Sequence, residues 1–343
     1  CREVYEHLEQ VKEVGNELNV GFLGIGSRIE GKLANHYWMP KERYKIMKAY
    51  MPKVGRLGLD MMADTCTVQV NLDYSSENDM MRKLKIGFLL QPMVTALFAS
   101  SPFEKMKPSN YISRRSAIWF DVDRDRCGVP EFILNKNFGF EQWVDYALSV
   151  PMYFIYRDGK YINCAVESFK DYMSRDSIVL KGYEATIKDW EAHLSTIFTE
   201  VRLKQFIEFR GADSGPWKSL CALPALWVGL LYNNDSLDAA EELANSISLD
   251  LYEEMYRGVP LSGLDLEIGG RNIKEYAKDM LNIAKIGLRN RSIKDSAGND
   301  ETGYLNQLEE VIYTGMNHSK KMLSIWEKDK KNSLETLYKE FSY

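Results

Sequence analysis

Two short segments of this chain alternate strictly between polar and apolar residues, and they lie far apart among helical patterns. In residues 65–74 (TCTVQVNLDY), Thr65, Thr67, Gln69, Asn71 and Asp73 fall on one side, and Cys66, Val68, Val70, Leu72 and Tyr74 on the other. In residues 201–210 (VRLKQFIEFR), Val201, Leu203, Ile207 and Phe209 share a side, opposite Arg202, Lys204, Glu208 and Arg210. Period-two alternation is the signature of a half-buried strand. Around these segments the 3.6-residue period dominates: residues 217–232, 235–247, 249–256, 272–289, 302–314 and 319–341 read as helices. Few strands separated by helices predict an α+β protein with a helical C-terminal half and no clear internal boundary.

The remaining elements are punctuated locally. Val4, Leu8, Val11 and Leu18 recur at helical spacing from the first residues, with no capping signal before them, so a helix to about Asn19 is entered partway and an N-terminal portion is expected ahead of it. Pro40 introduces and Pro52 ends a helix over 41–50, Ser76 with Asp79 caps a helix to about Ala99, and 186–198 is helical. Residues 27–38 and 102–140 read as loop-rich, and 151–162 as a hairpin turning at Asp158-Gly159.

Charge and composition exclude several classes. Of 343 residues, 44 are basic and 49 acidic, a net charge of −5, which predicts no nucleic-acid partner. The longest apolar run, 221–232, is too short to span a bilayer, and no basic segment followed by an apolar one opens the chain, so neither membrane nor secretion is expected. The five cysteines form no CxxC pair, and buried thiols are the default for Cys66, Cys127 and Cys164.

Most motif tests fail. Gly21, Gly24 and Gly26 are in the wrong order for a dinucleotide loop, and no phosphate loop of the G-K-[ST] kind exists. Asp121, Asp123 and Asp125 imitate a calcium loop but lack its glycine and terminal glutamate. His7, His36, His193 and His318 are isolated, and surface or core placement is expected for each. The two alternating segments remain. Their polar faces are either simply solvated or line a sheet that binds a polyanion, with lysine and arginine on phosphates and Glu208 on a divalent cation.

Several long blocks carry a family resemblance: MPKERYKIMKAYMPKVGRLGLDMM (39–62), TCTVQVNLDYSSENDM (65–80), LQPMVTALFASSPF (90–103), FGFEQWVDYALSVPMYFIYRDGKYI (138–162), EVRLKQFIEFRGADSGPW (200–217) and LCALPALWVGLLY (220–232). Over nearly its whole length the chain closely resembles glutamate–cysteine ligases of the plant and alphaproteobacterial type. The resemblance implies a single catalytic domain, here without its N-terminal segment, built on a curved antiparallel sheet like that of glutamine synthetase. It implies L-glutamate, L-cysteine and ATP as substrates, Mg2+ as cofactor, and an acyl phosphate attacked by the cysteine amine. Such chemistry rests on metal ions and cations placed around the transferring phosphoryl.

Residue by residue, the resemblance assigns Glu208 to metal, Arg210 to catalysis as the phosphate clamp, and Gln69 and Asn71 to the nucleotide side, while Arg202 and Lys204 join the phosphate-binding set because they share that face. Arg43, Arg115 and Tyr153 fall to glutamate, arginine being the expected reader of a carboxylate. A single carboxylate is too few for the metals of such a ligase, so further acids are expected from outside these strands. Cys1 and Cys221 match a redox-sensitive disulfide of relatives, whereas Cys164 meets Val179 where a second pair would need cysteine. Glu42 replaces a family glycine, and Ala117, Phe120 and Val122 replace polar residues. A homodimer, a non-catalytic relative and a ligase for another amine stay open. The resemblance places the protein in the cytoplasm of a bacterium or the plastid of a plant.

Overall fold

A computed structural model describes residues 2–30, 33, 36–134, 138–328 and 333–343. Its axis is the helix Glu77–Phe98, buried along most of its length. The Ser76 hydroxyl accepts from the Asp79 backbone N–H at 3.2 Å, which caps this helix as the sequence predicts. Asn234–Asn245, Leu249–Ser262 and Ile273–Arg291 pack against it, Trp217–Leu231 packs on the first and last of these, and the four form the helical C-terminal half. Trp217–Leu231 and Ile273–Arg291 touch backbone to backbone, because Gly229 and Gly287 leave no room for a Cβ between them.

The sheet lies against the other side of the Glu77–Phe98 helix. Val70–Leu72, Ile207–Phe209 and Val201–Leu203 form a three-stranded antiparallel sheet in that order across it. Residues 201–210 are therefore not one strand but a hairpin bending at 204–206. The expected faces survive this correction. The register pairs Val201 with Phe209, Arg202 with Glu208 and Leu203 with Ile207, so even positions meet even and odd meet odd. Phe209 and Val201 press on Gly87 of the helix, and Phe209 lies 4.3 Å from the Trp227 ring. The apolar face is thereby fixed to the core, and the charged face is turned away from it.

Other elements differ from expectation in detail. Residues 65–74 contain a strand only at Val70–Leu72, with Thr65 and Thr67 making isolated bridges to Ser27 and Asp213. The second helix runs Glu42–Val54 and includes Pro52, because a proline near a helix end forfeits a single hydrogen bond. The hairpin Phe154–Arg157/Lys160–Asn163 turns at Asp158 (φ 49°) and Gly159 (φ 78°), the left-handed pair a two-residue turn requires. Within 102–140 lies a short buried helix, Arg114–Ile118. Among the described residues the strands form this three-stranded sheet and four two-stranded pairings, one of them parallel. Among the described residues no helix is long and apolar enough to cross a membrane.

Cys164 is buried as expected, but Cys127 is half-buried and Cys66 exposed, since 65–67 lies beyond the helix-backed part of the sheet. The calcium-like acids are committed elsewhere: Asp121 accepts from the Arg56 N–H, and Asp123 pairs with Arg126 at 2.6 Å. His193 is a core residue whose Nε2 meets Ala147 O at 2.7 Å, and burial drives its pKa down to about 4. An unfolded histidine takes its proton near pH 6.5, so His193 supports the fold above that pH and loses its contribution as pH falls toward 4. Lowering the pH from 7 to 5 should cost about 2 kcal/mol through this group. Urea midpoints at the two pH values check it, and His193→Gln should shrink the loss.

Candidate active site

The charged face of the hairpin is a cluster around one carboxylate. Glu208 is buried, and its Oε2 receives Arg202 Nε at 2.7 Å and Nη2 at 2.6 Å. Arg210 Nη1 stands 3.5 Å from the same oxygen, and Lys204 Nζ is 4.0 Å from Oε1. Asn71 is directly across from Glu208 on the neighbouring strand, and both Asn71 and Gln69 are exposed. The two assigned arginines are not equivalent. Arg202 also gives Nη1 to Ser195 O (2.7 Å) and Ile197 O (2.9 Å), so each of its three nitrogens already has a partner and only one Nη2 N–H is left over. Arg210 makes no side-chain hydrogen bond through Nη1. Burial, then repulsion from Arg202, presses its pKa down to about 9, with Glu208 opposing.

Arg210 faces a cavity of about 330 Å³ with Arg43, Arg115, Thr65 and Thr67 on its walls. Met47, Met61, Trp119 and Phe198 supply apolar surface, and the Arg210 guanidinium lies 5.7 Å from the Phe198 ring. Three segments deliver the cations. Arg43 projects from the first turn of Glu42–Val54, with its guanidinium 5.6 Å from the Tyr44 ring. Arg115 sits on Arg114–Ile118, capped by the Ser113 hydroxyl. Arg210 follows the last strand.

A buried polar network holds Arg115. Its Nη1 donates to Gly211 O at 3.1 Å and Nη2 to Arg210 O at 2.8 Å, while Thr67 Oγ1 donates to Ala212 O at 2.7 Å. Asp213, 1% exposed and 3.9 Å from Arg115, accepts from Ser100 N–H (2.9 Å), Ser101 Oγ (2.6 Å) and Ser113 Oγ (2.9 Å). Burial raises its pKa, with Arg115 the main opposing influence. Glu200 is the second buried acid here: burial pushes its carboxyl up, Arg115 and Arg210 pull it down, and Tyr256 donates to it at 3.4 Å. Two of the glycines that failed as a nucleotide loop permit close packing here. A Cβ on Gly26 would lie 2.6 Å from the Asp213 carboxyl, and one on Gly24 would lie 2.7 Å from Gly215 O.

The three arginines share one property. Arg43 Nε, Arg115 Nε and Arg210 Nη1 are buried without a hydrogen-bond partner. An unpaired buried donor is costly, and three arginines that keep one apiece while lining a single cavity make that cavity strongly cationic and suited to an anion. Tyr153, expected beside glutamate, is instead fully buried behind this wall, with the Arg126 guanidinium 3.9 Å from its ring and its hydroxyl on Met51 Sδ at 3.7 Å. Cys221, on Trp217–Leu231, is disulfide-bonded, and Cys1 lies outside the described residues. Asp213, Glu200 and His36, the last on the cavity wall with Thr67, belong to the site although the residue patterns gave none of the three a role there.

A model of glutamate–cysteine ligase family 2 matches residues 1–340. The chain belongs to this family. It is 47% identical over all 343 residues to glutamate–cysteine ligase B, chloroplastic, of Oryza sativa subsp. japonica, covering 68% of that protein. It is 49% identical to the chloroplastic glutamate–cysteine ligase of Nicotiana tabacum and 48% to that of Arabidopsis thaliana, covering 65% of each. The chain thus spans about two thirds of the length of these relatives. For a member of glutamate–cysteine ligase family 2 the fit to Mg2+ matters, and Glu208 does not supply it by itself. One oxygen of Glu208 is held by arginine and the other faces lysine. Among the described residues no group of three metal-ligating side chains exists. Glu208 is placed as a counter-ion, and no step is assigned to a metal.

Proposed function

We propose that this protein takes part in joining the γ-carboxylate of L-glutamate to the amine of L-cysteine at the expense of ATP, the first step of glutathione synthesis. The cavity with three unsatisfied arginine donors carries this reading, because glutamate brings two carboxylates and its acyl phosphate brings more charge to the same place. Arg43 and Arg115 bind carboxylates. Arg210, between the cavity and the hairpin's charged face, meets the charge developing on the transferred phosphoryl, and Lys204, Gln69 and Asn71 extend that face toward the nucleotide. The antiparallel hairpin with a polar face supports a glutamine-synthetase-like sheet. A Mg2+-dependent reaction would draw on carboxylates beyond the described cluster.

The disulfide of Cys221 is proposed to be the pair with Cys1, and a plastid location follows if the source is a plant. The deciding experiment is glutamate-dependent phosphate release from MgATP, with and without cysteine, using the tobacco relative as positive control. Cysteine-stimulated release from this chain supports ligation. Release with another amine reassigns the acceptor. Absence of both release and glutamate binding leaves a non-catalytic relative.

A further inference from the structure

We propose that Arg202 is a positioning residue that competes with Arg210 for Glu208, so that the Arg210 guanidinium stays uncommitted and open to an anion in the cavity. The proposal rests on reading the cavity as an anion site. An arginine beside a carboxylate normally closes a forked, two-bond pair with it. Arg210 does not. Its Nη1 stops at 3.5 Å from Glu208 Oε2, and that nitrogen is buried without a hydrogen bond. The oxygen is already filled, because Arg202 places both Nε and Nη2 on it. Arg202 cannot drift away, since its third nitrogen is anchored on Ser195 O and Ile197 O. The hairpin register sets the geometry: Arg202 is directly opposite Glu208, whereas Arg210 is two residues further along the chain, just past the end of that strand. Lys204, 4.0 Å from Oε1, is the other cation able to claim the carboxylate.

The competition predicts a pattern that loss of structure would not give. In Arg202→Gln the carboxylate is freed, Arg210 closes onto it, and binding of L-glutamate should weaken about tenfold or more. In Arg202→Gln/Glu208→Gln the carboxylate charge is gone, Arg210 is released again, and binding should return to near the parent's strength. If Arg202 were merely structural, the double variant would bind no better than the single one. Calorimetric titration at fixed ionic strength reads these outcomes.

A second readout needs no ligand: reaction of Arg210 with phenylglyoxal, mapped by mass spectrometry, should be high in the parent, suppressed in Arg202→Gln and recovered in the double variant. Equal Arg210 reactivity in all three, or an Arg202→Gln variant binding as tightly as the parent, overturns the proposal. The latter would mean that Lys204 took the carboxylate. A parent chain that ignores glutamate would sink the proposed substrate and leave Arg210 reactivity to decide the competition.

Discussion

Replacing Arg115 by methionine should cost the folded protein about 3 kcal/mol and abolish glutamate binding, because one side chain both faces the cavity and balances a buried acid. Asp213 keeps its three donors from Ser100, Ser101 and Ser113 but loses the only cation within 4 Å among the described residues. The carbonyls of Gly211 and Arg210 lose the Arg115 guanidinium at the same time, the second keeping only Thr67 Oγ1. Urea denaturation at pH 7 measures the loss. The deficit should narrow in acid, as Asp213, whose pKa burial already raises, takes up a proton instead of standing unpaired. Stability equal to the parent's would show that the serine donors alone suffice.

Arg210→Ala should behave in the opposite way. Its Nη1 makes no hydrogen bond, only a 3.5 Å ion pair with Glu208, and the side chain sits among Arg202 and Arg115, so its charge is carried at a cost. Its backbone carbonyl, which the network does use, is untouched by the substitution. Stability should stay within about 1 kcal/mol of the parent, while glutamate affinity falls at least about a hundredfold and cysteine-stimulated phosphate release disappears. Calorimetry and a thermal melt on the same preparation separate the two effects. A large loss of stability with unchanged affinity would remove Arg210 from the site.

What could be read in advance follows from which signals are local. Alternation placed Arg202, Glu208 and Arg210 on one face, and the faces held even though the segment folds back on itself. The fold-back was hidden because Lys204, Gln205 and Phe206 include none of the glycine, asparagine or proline that mark a tight turn. The cap at Ser76 and the turn at Asp158-Gly159 were legible because each depends on residues a few positions apart. Arg43 and Arg115 came from family resemblance, and no periodicity points to either. Asp213 and Glu200 had no signal of their own: a lone acid matters here only because tertiary packing surrounds it with arginine. Gly26 illustrates the same limit, since the atom that excludes a side chain there is the carboxyl of Asp213. A sequence shows which face Arg202 shares but not that its three nitrogens already hold protein partners.

The cavity is stitched together by contacts of long reach. Thr67 meets the Arg210 carbonyl across 143 residues of chain, Arg115 meets it across 95, and Ser100 meets Asp213 across 113. Closing such loops comes late in folding, after the helices have formed, because their entropy must be spent before any contact rewards it. No fragment ending before Arg210 can hold even a weak copy of the site. Anion capture is thus a clock for the last stage of folding: in a refolding experiment it should trail the recovery of helix, and a protease nick between Thr67 and Arg210 that lets the pieces drift apart should erase it while much of the helical signal remains.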